Sequence, residues 1–295
     1  MGKIYFTHDE IVGRPKLEGK DPAHVHFHFR PARPADLCVT LDPDTGEVNV
    51  SAGTLGPLTW NPYTMCLHIN RNDSPDSYRN LQRTDECVIA LPGKDIIPET
   101  WMCALPLPRG ISELEVAKLT PFPSRFVKPP SIMECKVNFE CKVEFFKDYY
   151  THGIVFVRVV GASIDEEILE WSREDIVHLY PTFEVDDIQN PRIKERGIIE
   201  RLGVIGEIFE CPSFPVGPKS GWGGTFETWM RDLRDENYIS QEEFDKIIEI
   251  KKRYDNLFYN SVSKEREKVK REITEICKMI AWQEWDRLRL FLSNI

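Results

Sequence analysis

Between about residue 35 and residue 165 the apolar positions come in short runs, each closed by a turn signal. "DLCVTL" passes through "DPDTGE", rich in Asp, Pro and Gly, into "VNVSAG", a pattern that predicts a β-hairpin. "TMCLHI" predicts a third strand and "CVIALP" a fourth, ended at Pro92 because proline has no N–H to give to a ladder. Two longer strands, "NFECKVEFFKDYY" and "GIVFVRVVGASI", flank the turn-like "THG". Between the third and fourth strands, "NRNDSPDSYRNLQRTDE" offers Asp73, Ser74 and Asp76 as N-cap groups ahead of a short helix carrying Tyr78 and Leu81. "SELEVAKL" predicts another short helix. Strands at this spacing with brief helical insertions indicate a closed or nearly closed antiparallel barrel rather than a doubly wound sheet.

The pattern changes after about residue 205. "GEIFECPSFPVGPKSGWGG" reads as a Gly- and Pro-rich connector. "FETWMRDLRDE" is helical, and Ser240 with Glu243 forms a capping box that opens a second helix running to about Phe258. From Ser263 to Leu292 apolar residues recur at helical spacing, with Trp282 and Trp285 expected in the core. The expected organisation is a barrel domain over residues 1–204, including an N-terminal extension, followed by a connector and helical extension over 205–295.

Composition narrows the function. The chain has 295 residues, 41% of them hydrophobic, enough for a sizeable core. Its net charge of −10 repels phosphate backbones and argues against nucleic acid. No apolar run has the length of a signal peptide or a bilayer span, so a cytoplasmic protein without membrane partners is expected. The eight cysteines contain no Cys-x-x-Cys and fall largely inside apolar strands, which points to reduced, structural thiols. Cys103 and Cys211 lie in less regular segments, and their roles stay open.

Chemistry-bearing residues gather in "TMCLHINRNDSPDSYRNL". A strand that ends in an Arg, Asn and Ser loop and then starts a helix brings N–H groups, hydroxyls and a guanidinium to one point, as a phosphate monoester requires, although such loops also simply cap helices. A second cluster, "AHVHFHF", sets His24, His26 and His28 on one face of an extended segment. Three readings are open for this row: a metal site, the edge of a substrate or cofactor pocket, and the polar face of a half-buried strand.

Taken in order, "RPADLCVTLDPDTGEVNVSAGTLG", "NPYTMCLHINRNDSPDSYRNL", "ECVIALP", "KLTPFPSRFVKPPSIMECKVNFECKVEFF" and "THGIVFVRVVGASIDEEIL" resemble the successive blocks of the flavin reductase-like, FMN-binding split-barrel family, most of all its flavoredoxin branch. The resemblance covers about residues 30 to 165. It implies a six-stranded split barrel of α+β class, a homodimer, and bound FMN that moves hydride or electrons, with NADH or NADPH as a candidate donor. It places Ser51, Ala52, Gly53 and Thr54 against the isoalloxazine, Arg71, Ser74, Ser77 and Tyr78 on the phosphate with Asn80 nearby, and His152 close to the ring. His152, and less directly His28, are the candidates for proton transfer. The chain departs from the family's pattern at Ala90, where "NLP" is common, and in its long C-terminal half. The expected activity is an FMN-dependent oxidoreductase acting on a small molecule. The alternatives are a flavoredoxin-like carrier serving a redox partner protein and an enzyme using the histidine row with a metal.

Overall fold

A computed structural model describes residues 4–12, 33–71, 76–150, 152–170, 183–186, 200–204, 207–210, 224–258 and 263–295. The histidine row, Asp73, Ser74 and Cys211 therefore lie outside the described residues. A short helix, α1 (His8–Val12), precedes the barrel strands β1 (Arg33–Leu41), β2 (Val48–Trp60) and β3 (Tyr63–Asn70). Helix α2 (Asp76–Thr84) leads into β4 (Glu86–Leu91), followed by α3 (Ile97–Met102), α4 (Glu113–Ala117) and the two-residue strands β5 (Pro121–Phe122) and β6 (Ser131–Ile132). The long hairpin is β7 (Val137–Tyr149) and β8 (His152–Ile164). Three short strands, β9 (Phe183–Asp186), β10 (Glu200–Val204) and β11 (Glu207–Glu210), precede helices α5 (Phe226–Asp235), α6 (Gln241–Phe258), α7 (Lys264–Ala281) and α8 (Trp285–Ser293).

Strands β1, β2, β3, β8, β7 and β4 pair antiparallel in that order, and β4 pairs again with β1, closing the six-stranded barrel expected from the sequence. Every strand sends alternate residues inward: Cys38, Leu55, Met65, Leu67, Cys87, Ile89, Cys141, Val155 and Val157 fill the interior, and Leu81 from α2 joins them. The opposite faces of β1, β2 and β4 are buried as well. Ala35, Leu37, Val39, Val50, Val88 and Ala90 pack in one continuous core with Trp229, Met230, Ile247, Ile273, Ile276 and Ile280 of the C-terminal helices. A strand covered on both faces must be apolar throughout, which is why "CVIA" in β4 shows no polar alternation. All seven described cysteines are free and buried.

The helices carry the termini their sequences predict. In the capping box, Ser240 N–H donates to Glu243 Oε2 at 2.6 Å, and Glu243 N–H donates to Ser240 Oγ at 3.2 Å. The stretch from Ser263 to Leu292, in which apolar residues recur at helical spacing, forms two helices. At the end of α7 the chain turns at Gln283, with φ of 56°; Glu284 N–H reaches Met279 O and Gln283 N–H reaches Ile280 O, a Schellman stop without its usual glycine. Trp282 and Trp285 at this corner are half-buried rather than fully enclosed, and the Trp282 indole donates to Val116 O at 2.9 Å. Among the described residues no helix is long and apolar enough to cross a membrane.

Candidate functional site

The sequence "SPDSYRNL" places two consecutive side chains of α2 on different neighbours. Ser77 turns toward β2: its hydroxyl donates to Ser51 Oγ at 2.9 Å and accepts from Asn49 Nδ2 at 2.6 Å, all at the first turn of the helix. Tyr78 turns the other way, packing edge-on against Phe146 and donating from its hydroxyl to Asp148 Oδ1 at 2.5 Å. Gly153 makes that approach possible, since a Cβ there would meet both the Tyr78 and Phe146 rings at 3.0 Å. Arg71, exposed at the end of β3, pairs with the other oxygen of Asp148 at 3.3 Å. His152 opens β8 and is the Cα partner of both Asn70 and Tyr149, so it sits exposed at the same end of the barrel.

The start of α2 thus lies between the β2 edge and the β7–β8 hairpin. Ser51, Ser77, Arg71, Tyr78 and His152 surround it. Asn80 is buried and clamps the helix to β1 through a 3.2 Å bond to Thr40 Oγ1. Gly53 backs onto Asp36, whose Oδ1 lies 3.3 Å from where a Cβ would stand, and Thr54 is buried. Of the expected residues, His28 and Ser74 fall outside the described part.

The edge of β2 next to Ser51 is finished in an unusual way. Its pairing with β3 begins at Leu55, so the upstream N–H groups that point away from β1 need other acceptors. Ala52 N–H reaches Cys103 O at 3.3 Å, and Val50 N–H reaches the Glu113 carboxylate at 2.8 Å. Burial pushes the Glu113 carboxyl up to about 8; the N–H groups of Val50 and of Glu113 itself pull it back only partly, and Asp76 adds to the rise. At the α2 start, Asp76 is paired with Arg79 and lies 3.5 Å from Arg109 Nε. Arg109 also holds Asp42 at 2.6 Å; burial raises the Asp42 carboxyl, but Arg109 and the N–H groups of Asp44 and Thr45 outweigh it, so the net shift is downward.

Chemically, two hydroxyls, an amide and a helix N-terminus converge where an anion is favoured, with arginines on both sides. Among the described residues no group of three His, Cys, Asp or Glu side chains is placed to hold a metal. Sequence reasoning missed Asp148, Glu113 and Arg109. Asp148 stands where the strand runs into its turn, and Glu113 reads as an ordinary first-turn glutamate. Their roles come from partners distant in the chain, and no local signal marks them.

The family model of the flavin reductase like domain matches residues 30–179, just over half of the chain and all six barrel strands. The chain belongs to the flavin reductase-like family. Among curated proteins, this flavin reductase-like chain is 31% identical over 111 residues to an uncharacterized protein of Aquifex aeolicus, covering 37% of its own length and 57% of the relative's. It is 28% identical over 131 residues to one of Pyrococcus abyssi, covering 44% and 74%. The chain spans little more than half of the Aquifex relative. Among solved structures, nitrilotriacetate monooxygenase component B from Bacillus cereus superposes with a TM-score of 0.54 at 19% identity, covering 71% of this chain and 99% of that one. A split-barrel protein from Shewanella frigidimarina superposes with 0.50 at 17% identity, covering 70% and 94%. At these identities the likeness is one of fold.

Proposed function

We propose that the protein is an FMN-dependent oxidoreductase whose flavin phosphate is held at the start of α2. The observation that carries this reading is the Ser51, Ser77 and Asn49 cluster at the first turn of a nine-residue helix, inside the region that the family model matches. These donors fit a phosphate monoester: hydroxyls and an amide supply hydrogen bonds, the helix end favours the charge, and Arg71 stands on the outer side. Ser51, Ala52, Gly53 and Thr54 would then line the ring, with Tyr78 and Asn80 fixing the helix. Bound flavin would supply hydride and electron transfer, and the chain's own residues bind, orient and exclude water. His152, exposed beside this end of the barrel, is the group placed to exchange a proton with solvent, and His28 is a second candidate from the sequence. The reading includes a homodimer, a setting in which exposed Trp60, Phe145 and Tyr149 would find cover.

The test is the absorption spectrum of the isolated protein followed by titration with FMN. A yellow protein bleached by NADH or NADPH supports the reading, and a colourless one that fails to bind added FMN defeats it. Ser77→Ala should weaken FMN binding by about tenfold, the loss of roughly one charge-assisted hydrogen bond, read from quenching of flavin fluorescence. An unchanged affinity would remove Ser77 from the site.

A further inference from the structure

At the start of α7 stands a buried charge that has no counter-charge among the described residues. Arg266 stands in the first turn of α7, its N–H donating to the N-cap hydroxyl of Ser263 at 3.1 Å. It is 95% buried, with a relative exposure of 5%. Among the described residues no carboxylate pairs with its guanidinium, and its Nε is enclosed without a hydrogen-bond partner. The neighbour recorded for that guanidinium is the ring of Phe258, whose centroid is 5.1 Å away. The connecting residues Tyr259, Asn260, Ser261 and Val262 contain no acid that could serve it. A cation in the first turn also opposes the helix dipole, so Arg266 is unfavourable on three counts: burial, lack of a partner and position.

The neighbouring cations are already engaged. Arg109 lies 5.5 Å from the same Phe258 ring and is held by Asp42 and Asp76. Arg79 pairs with Asp76, and Lys270, one turn after Arg266, pairs with Glu47. Arg266, Glu47, Asp255 and Asp76 all act on the Tyr254 hydroxyl, which places them around one corner, and that hydroxyl donates to Arg109 O at 2.8 Å. Among the described residues each of these carboxylates is paired with a cation other than Arg266: Asp42 with Arg109, Asp76 with Arg79, Glu47 with Lys270 and Asp255 with Lys251.

We propose that Arg266 and the N-terminus of α7 form a binding site for a small oxyanion, a phosphate or carboxylate group of a soluble ligand. A guanidinium that spends its face on an aromatic ring keeps its in-plane N–H fork free, the geometry that grips two oxygens at once. The α7 N-terminus adds backbone N–H donors and a favourable dipole. The site is built by Phe258 at the end of α6 and by the first turn of α7, whereas the Ser51 and Ser77 cluster is built by β2 and α2.

The test uses the full chain as purified. Thermal unfolding is followed in sodium phosphate, sodium acetate and sodium chloride at matched ionic strength. Phosphate is expected to raise the midpoint saturably over chloride; an equal effect of acetate assigns the site to carboxylates as well. Arg266→Met should abolish that response, and it should be at least as stable as the parent in chloride, because it removes an unpaired buried charge. Arg266→Lys, which keeps the charge and loses the fork, should weaken phosphate at least tenfold and decides the matter if the Met variant does not fold. No anion-specific shift, or a shift retained in these variants, overturns the proposal. Phosphate that competes with added FMN would place the anion at the flavin cluster and overturn it too, whereas failure to bind FMN at all bears only on the proposed function.

Discussion

Glu113 is a carboxyl group standing in for a missing strand. It accepts the Val50 N–H that β3 does not reach, and it does so in a buried position that favours its neutral form. Its pKa rises from the ordinary carboxylate range to about 8 on folding, so between those values the unfolded chain has released a proton that the native chain keeps. The contribution of this group is full below the unfolded value and falls as pH rises toward 8. Glu113→Gln keeps an acceptor for Val50 and removes the titration. The stability of the variant relative to the parent should therefore improve by a few kcal/mol between pH 5 and pH 8.5, measured by urea unfolding across that range. A constant difference would show that Glu113 does not titrate in this window.

Helix α6 is tied down at both ends, by its capping box at Ser240 and by the seat of its last turn. Gly110, at φ of 79°, lets the loop after α3 pass beneath that turn: a Cβ there would stand 2.5 Å from the Phe258 ring and 2.8 Å from the Tyr254 hydroxyl. Gly110→Ala combines this clash with left-handed strain, so a loss of about 2–4 kcal/mol is expected, read as a fall in the unfolding midpoint. The same change should loosen Phe258 under both arginines. A near-neutral result would mean that α6 can shift on the barrel at little cost.

The C-terminal helices and the barrel share one core. Ala35, Leu37, Val39, Val50, Val88 and Ala90 would be bared if the helices were absent, a face far too apolar for water. A chain ending at residue 204 is expected to aggregate or to lack cooperative unfolding, tested by size-exclusion chromatography and thermal circular dichroism. A soluble, cooperatively folding fragment would establish the barrel as an independent domain. The interior core, by contrast, is closed among the described residues by the strands and by Leu81 and Tyr78 of α2, and it should depend little on those helices.

Much of this was legible along the chain. The six barrel strands, the turns between them, the helix that starts near Asp76 and the Ser240 capping box follow from local chemistry, because alternation, proline, glycine and capping residues act over a few positions. The order of the blocks carried the family. Less of the site could be read. Ser77 was recognisable as a hydroxyl near a helix start, but its bond to Ser51 depends on a β2 edge that is 26 residues away. Trp282 and Trp285 read as core from their spacing, yet they sit half-buried at a corner that a left-handed Gln283 creates.

By itself the sequence determined which faces of which elements are apolar and in what order those elements come. Only the tertiary structure decided what covers each face, which carboxylate meets which arginine, and that Glu113 and Arg266 end up buried with no opposite charge paired to them among the described residues. The physical reason is that periodicity records the polarity of a residue's own surroundings over a turn or a strand. Pairing, burial and charge balance are set by partners from distant parts of the chain, and only the closed fold brings them together.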